Sequence, residues 1–153
     1  MSKTKLIIFF LIINFGGLSI GSWLMNNGPT AEWYLNLNKA PWTPPGWVFG
    51  VAWTTIMICF SFYLGNLFNT IVSAKLKLLY AVQVFLNVIW NYIFFNQHLI
   101  TTGLIIIILL TLVIYYYFFN YKSVVKNKSY LLLPYMIWLL IATSLNAYIL
   151  INN

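Results

Sequence analysis

The chain has 153 residues, of which 62% are hydrophobic and only 6% are charged, whereas soluble globular domains carry about 25% charged residues. A soluble domain of this size still exposes about a third of the surface of its unfolded chain, so the composition excludes a water-soluble protein and indicates one that lies largely in lipid. The formal net charge of +7 comes from small groups of lysines between apolar runs, which is typical of membrane loops and argues against nucleic-acid binding.

Five apolar segments are long enough to cross a bilayer, which takes about 20 apolar residues. They lie at about residues 6–25, 47–68, 77–96, 101–120 and 130–150. The first is interpreted as a retained span, because no A-x-A-like cleavage site follows it. Each span must satisfy its own backbone hydrogen bonds in lipid, so helices are expected throughout. The predicted fold is all-α integral membrane: one domain over 1–153, a five-transmembrane-helix bundle with a long capping loop between helices 1 and 2.

The lysines predict the orientation of this bundle. Five spans place the two termini on opposite sides of the membrane. Seven of the eight lysines fall on the N-terminal side and only Lys39 falls on the other, and the lysine-rich side normally faces the cytoplasm. We therefore expect a cytoplasmic N-terminus and an external C-terminus, most simply in a bacterial cytoplasmic membrane.

The loop before the second span contains the stretch "KAPWTPPGWVFGVAW" (39–53), with three prolines and three tryptophans. Pro41, Pro44 and Pro45 keep the chain extended and exclude a helix through 41–45. Trp42 and Trp47 are predicted to form a rigid aromatic rim that caps a cavity, at little cost in conformational entropy on binding. The alternative is a rigid loop that only fixes the angle between the first two spans.

No Asp, Glu, Lys, Arg or His lies in the middle of a span. Ionisable groups inside the membrane mark proton relays and ion paths, so their absence argues against a proton-coupled pump and against acid–base catalysis. His98 stands alone in a short loop and Cys59 is the single cysteine, so no metal site and no cofactor are predicted.

Amide and aromatic side chains recur at helical spacing on three spans. They are Trp47, Gly50, Trp53 or Thr54, and Met57 on span two, Gln83, Asn87, Asn91 and Phe94 on span three, and Tyr135, Trp138, Ala142 and Asn146 on span five. One interpretation is hydrogen bonding between helices, and the other is an aromatic cavity for a small molecule. In the second case, Asn87, Asn91 and Asn146 are candidate acceptors for the indole N–H groups of Trp53 and Trp138.

Span one contains Gly17 and Gly21, a pair of small residues four positions apart. Such a pair allows another helix to approach closely. The partner helix could belong to the same chain or to a second copy, and the sequence leaves both open.

Three stretches together resemble the TspO/translocator-protein family, the tryptophan-rich sensory proteins also called peripheral benzodiazepine receptors. They are "WYLNLNKAPWTPPGWVFGVAW" (33–53), "QVFLNVIWNYIFF" (83–95) and "LLLPYMIWLLIATSLN" (131–146). The resemblance implies a five-helix bundle, commonly a homodimer, with a pocket under the first loop that binds porphyrins, notably protoporphyrin IX, and flat drug molecules.

Carried across by motif, the resemblance implies a set of ligand-binding residues in that pocket. These are Tyr34, Pro44, Phe49, Trp53, Asn91, Trp138 and Ala142. Trp53 and Trp138 match tryptophans implicated in light-dependent porphyrin breakdown by some bacterial members, which makes them the only catalytic candidates. The C-terminal "LNAYILINN" lacks the basic residue of the animal cholesterol motif, so the resemblance does not extend to that motif, and the sequence leaves sterol binding open.

Three functions therefore remain in view. The first is a receptor, sensor or carrier that binds porphyrins and similar flat apolar ligands between helices. The second is a light-dependent porphyrin-degrading enzyme, and the third is a non-catalytic membrane scaffold that modulates a partner. Lys39 is the only lysine on the pocket side, so it is the candidate partner for a porphyrin propionate.

Overall fold

The computed structural model describes residues 1–153 and contains helices, turns and connecting segments but no strand. The six α-helices are α1 (Lys3–Leu24), α2 (Glu32–Leu35), α3 (Gly46–Thr70), α4 (Ala74–Asn91), α5 (Ile100–Val125) and α6 (Leu133–Asn152). A π-helical turn, Tyr92–Asn96, continues α4, and 3₁₀ helices occupy Gly28–Thr30 and Lys126–Leu132. The predicted all-helical membrane fold is confirmed.

Four continuous helical stretches are long and apolar enough to cross a membrane, and the last of them, Ile100–Asn152, has 53 residues. This stretch folds back on itself, because α5 and α6 lie side by side and run in opposite directions. The Thr111 and Thr143 hydroxyls are 3.4 Å apart, and Tyr115 lies beside Met136. Since α5 and α6 each have the length of a span, the bundle has five membrane-crossing helices.

The helices extend beyond the predicted apolar runs where polar residues can end them in the lipid headgroup region. Ser2 accepts a hydrogen bond from the backbone N–H of Lys5, so α1 begins at Lys3. Ser73 caps α4 in the same way, and α5 continues to Val125. Lysines near these ends can keep their ammonium groups in water while their apolar stems lie along the helix.

The glycines of α1 face α4 of the same chain. A Cβ added at Gly17 would lie 3.6 Å from a methyl group of Val88, and one added at Gly21 would lie 2.6 Å from the side-chain nitrogen of Asn91. The small-residue pair therefore allows close packing within one chain, which settles the choice that the sequence left open.

The end of the bundle that carries most lysines has a solid aromatic core. The ring of Phe60 contacts the rings of Tyr63, Tyr80, Tyr117 and Tyr135 at centroid distances of 5.3–6.3 Å. The Tyr63 hydroxyl donates to the Tyr117 carbonyl at 3.1 Å. These rings fill the space between the helices, so the cavities inside the bundle described below lie nearer its other end.

Candidate ligand-binding site

The loop between α1 and α3 is held against the C-terminal end of α6. The backbone N–H of Asn38 donates to the Asn153 side chain at 2.9 Å, and its side-chain amide donates to the Asn152 carbonyl at 3.0 Å. The Trp42 indole N–H donates to the Ser144 hydroxyl at 3.0 Å. As predicted, residues 41–45 form no helix. Trp42 binds this segment to α6, whereas Trp47 is 72% exposed.

Lys39 caps the short helix α2 in this loop. Its ammonium group donates to the carbonyls of Tyr34, Leu35 and Leu37 at 2.9, 3.1 and 3.3 Å, and it lies 5.0 Å from the centre of the Tyr34 ring. The ammonium thus binds three carbonyls at the C-terminal end of α2, although the Tyr34 carbonyl also accepts from the backbone N–H of Leu37 at 3.2 Å. Burial raises the pKa of the Tyr34 hydroxyl above its ordinary value, so this side chain stays neutral.

A cavity of about 230 Å³ lies between α1, α3 and α4, near the ends that the loop joins. We call it the main cavity. Its walls are Gly17, Leu18, Ser22, Met25, Phe49, Gly50, Trp53, Asn87 and Asn91. Aromatic rings and a few amide or hydroxyl groups, with no charged side chain, are the usual composition of a site for an apolar small molecule.

A second cavity, of about 30 Å³, lies between α2, the π-helical turn and α6. We call it the side cavity. It is lined by Tyr34, Phe49, Trp90, Phe94, Phe95, Ala142, Leu145, Asn146 and Ile149. Phe49 lines both cavities, so its ring is the side chain that stands between them.

Trp138 lies behind Phe49 and lines neither cavity. The two rings meet edge to face with centroids 5.2 Å apart. Trp138 is 6% exposed, and its indole N–H has no hydrogen-bond partner. The predicted bonds from Trp53 and Trp138 to amides are therefore wrong: Asn146 accepts instead from the Trp90 indole at 3.1 Å, because Trp90 is the indole that α4 turns towards α6.

The structure divides the predicted site residues into groups. Trp53, Asn87 and Asn91 line the main cavity, Tyr34, Phe94 and Ala142 line the side cavity, and Phe49 lines both. Pro44 is half-buried in the loop and lines neither. Leu18, Ser22 and Met25 also line the main cavity and were not predicted. Met25 lies four residues after Gly21 and eight after Gly17, a helical spacing that could have indicated it.

The polar lining of the main cavity continues towards the centre of the bundle. A void of about 10 Å³, enough for about one water molecule, is lined by Asn14, Gln83 and Asn87 among others. The Gln83 amide nitrogen donates to the Tyr135 hydroxyl at 2.7 Å, while its buried oxygen has no partner. Gln83, one helical turn before Asn87, therefore lines this small void but not the main cavity.

Comparison with known proteins gives a consistent set of relatives. A model of the TspO/MBR family matches residues 9–151. The chain is 33% identical over 118 residues to protein CrtK of Rhodobacter capsulatus, covering 74% of each chain. It is 32% identical over 115 residues to a tryptophan-rich sensory protein of Cereibacter sphaeroides, covering 75% of this chain and 73% of that one. Over 135 residues it is 30% identical to the translocator protein of Homo sapiens, covering 85% and 79%.

Proposed function

The chain belongs to the TspO/MBR family of membrane sensor and translocator proteins, and on this premise we propose that it is a receptor or carrier for porphyrins, such as protoporphyrin IX, and similar flat apolar molecules. The ligand would lie in the main cavity. The observation that carries the proposal is the placement of Trp53 together with Asn87 and Asn91 around one cavity, so that a flat ring system can stack on an indole while amides meet its polar atoms.

The size of the main cavity indicates that Phe49 moves when a large ligand binds. Sites for drug-sized ligands have volumes of roughly 300–1,000 Å³, and the main cavity has about 230 Å³. If the Phe49 ring turned away from Trp138, the main and side cavities would join. One ligand would then contact Trp53 and the amides on one side and Tyr34, Phe94 and Ala142 on the other. This would explain why the predicted residues line two separate cavities when no ligand is bound.

We also propose that Lys39 pairs with a porphyrin propionate. A carboxylate taken out of water needs a cation and hydrogen-bond donors, and the Lys39 ammonium lies over the Tyr34 ring, whose residue lines the side cavity. To bind a propionate, the ammonium would exchange one carbonyl of the α2 end for the carboxylate. The exchange costs little because one of its three bonds is long, at 3.3 Å to Leu37.

The same arrangement gives a second candidate function, light-dependent breakdown of the bound porphyrin. Trp53 forms part of the wall of the main cavity, so its indole would touch an excited ligand directly. Its ring also meets the buried Tyr135 edge to face with centroids 6.0 Å apart. A scaffold with no ligand remains the third function, and it predicts no effect of porphyrin on thermal stability.

The membrane orientation is a further part of the proposal. Lys3, Lys75 and Lys122 and their neighbours lie at the end of the bundle that carries the N-terminus, the α3–α4 link and the α5–α6 link. We propose that this end faces the cytoplasm of a bacterial cell. A homodimer, if it forms, would use a surface other than the Gly17 and Gly21 stripe, because that stripe is covered by α4.

A direct test is a titration of the detergent-purified protein with protoporphyrin IX in the dark, followed by quenching of intrinsic tryptophan fluorescence. We expect saturable binding at micromolar concentrations or below, weakened several-fold by Trp53→Phe. Trp23→Phe is the matched control, because Trp23 is 79% exposed on α1 and lines neither cavity. Quenching that does not saturate and is the same in both variants would mean that the porphyrin only partitions into the micelle, and would refute the proposal.

A further inference from the structure

The outer surface between α4 and α5 carries an elongated apolar groove of about 590 Å³. Its lining residues are Lys75, Leu79, Val82, Leu86, Leu109, Leu112, Val113 and Tyr116. None of them lines the main or the side cavity. The groove is therefore a separate feature from the proposed porphyrin site, and an inference about it does not rest on the proposed function.

The length of the groove matches one leaflet of a bilayer. Along α4 it runs from Lys75 to Leu86, and eleven residues at about 1.5 Å each give about 16 Å. Half of the hydrocarbon core of a bilayer is about 15 Å. A lipid acyl chain that starts at the headgroup region and ends at the bilayer centre would fill this groove from one end to the other.

One end of the groove carries a fixed positive charge. Lys75 is in the first turn of α4, and its ammonium lies 5.1 Å from the centre of the Tyr116 ring. A cation over an aromatic face is attracted to it by about 0.5–1 kcal/mol at an exposed site, and tyrosine is enriched at the membrane–water interface. The ammonium is thus held where the headgroup of a lipid in the groove would lie.

No carboxylate of the protein can neutralise this charge. Glu32 is the only acidic residue of the chain, and it lies in α2, at the opposite end of the bundle. The lysine end as a whole therefore carries unpaired positive charge, which attracts anionic lipid headgroups by about 1 kcal/mol per lysine. An anionic headgroup supplies the counter-charge that the chain itself lacks.

We propose that this groove binds one acyl chain of an anionic glycerophospholipid, with the lipid phosphate held by Lys75. A zwitterionic lipid fits the apolar part equally well but brings its own cation to the headgroup region. A second copy of the chain fits less well, because a symmetric pair in the same membrane would bring two lysine-rich ends together with no acidic group between them.

The test compares Lys75→Gln with Lys77→Gln in the full chain. Lys77 is exposed on the same helix, two residues further on, and does not line the groove, so both changes remove the same charge from the same end. Lipid binding is counted by native mass spectrometry in mixed micelles of phosphatidylglycerol and phosphatidylcholine with identical acyl chains. We expect the wild type and Lys77→Gln to bind more phosphatidylglycerol than phosphatidylcholine. In Lys75→Gln the ratio of the two bound lipids should be about fivefold lower.

A third variant tests the groove itself. Val113→Phe places a larger side chain in the groove without changing any charge, and it should displace both lipids while leaving dark porphyrin binding unchanged. Equal loss of preference in the two lysine variants would show that only the general charge of this end matters, and would overturn the assignment of the phosphate to Lys75. If Val113→Phe left the number of bound lipids unchanged, or changed the fraction of dimer instead, the groove would not be a lipid site.

Discussion

Replacement of Phe49 by alanine tests whether this ring separates two parts of one binding site. In the structure, Phe49 lines both cavities and packs edge to face on Trp138. If a porphyrin binds only after the ring has turned, each binding event must break that contact. The alanine variant has no such contact to break, and the main and side cavities are already joined.

The size of the effect follows from the contact that is lost. An edge-to-face aromatic pair contributes about 0.5–1.5 kcal/mol beyond its buried area, and about 1.4 kcal/mol corresponds to a tenfold change in affinity. Phe49→Ala should therefore tighten protoporphyrin IX binding by about 2- to 12-fold. The cost in stability should stay below the about 3–5 kcal/mol of a fully buried Phe→Ala change, because Phe49 is only half-buried.

The assay is the dark titration with two ligands of different size. Protoporphyrin IX needs both cavities, whereas isoquinoline fits the main cavity alone and loses a contact when the Phe49 ring is removed. The variant should therefore bind the porphyrin more tightly and isoquinoline more weakly. Phe62→Ala is the control, since Phe62 is 43% exposed on the same helix and lines neither cavity. If both ligands bind more weakly to Phe49→Ala while Phe62→Ala behaves as the wild type, Phe49 is simply a wall residue and the reasoning is wrong.

Three further outcomes are expected. Gly21→Ala should weaken porphyrin binding several-fold, because the added Cβ would lie 2.6 Å from the side-chain nitrogen of Asn91 in the cavity wall. Gly17→Ala should change porphyrin binding little, because its added Cβ would have an ordinary nearest contact of 3.6 Å. Equal effects of the two variants in the dark titration would contradict this. Lys39→Gln should weaken binding of protoporphyrin IX by up to about fivefold but leave its dimethyl ester unchanged, and an equal loss for both would mean that Lys39 only caps α2. Under illumination, Trp53→Phe should slow bleaching of the bound porphyrin, as followed by absorbance, because Trp53 lines the main cavity; bleaching at the wild-type rate would rule out a photochemical role for Trp53.

The helices of this protein are predictable from sequence because lipid leaves the backbone no alternative. The β-branched run of span four, which would favour a strand in water, forms the middle of α5. The helix that packs against Gly17 and Gly21 was not predictable in the same way. Whether Gly17 and Gly21 face their own chain or another depends on how α1 is rotated against α4, and no local pattern encodes that rotation.

The sequence predicts which helix faces carry the site residues, but it does not predict the shape of the cavities between those faces. Helical spacing places Trp53, Asn87 and Asn91 on inward faces, and all three line the main cavity. Spacing cannot say that the Phe49 ring closes the path to Trp138, because that depends on one side-chain rotamer. It also cannot say which indole reaches Asn146, because Trp90 lies on a turn of α4 just before the π-helical turn.

The position of the main cavity follows from where small and large residues lie along the helices. A Cβ at Gly50 would meet no atom within 4 Å, so the missing side chain leaves α3 open to the main cavity, whereas Gly17, which also lines the cavity, lies against Val88 of α4. Further along α3, Phe60 and Tyr63 are fully buried among other aromatic rings. Because α3 stays packed against α1, α5 and α6, the space that glycine leaves at the loop end is not closed by the helices moving together. A ligand can therefore occupy the loop end of the bundle while the aromatic core at the lysine end holds the helices in place.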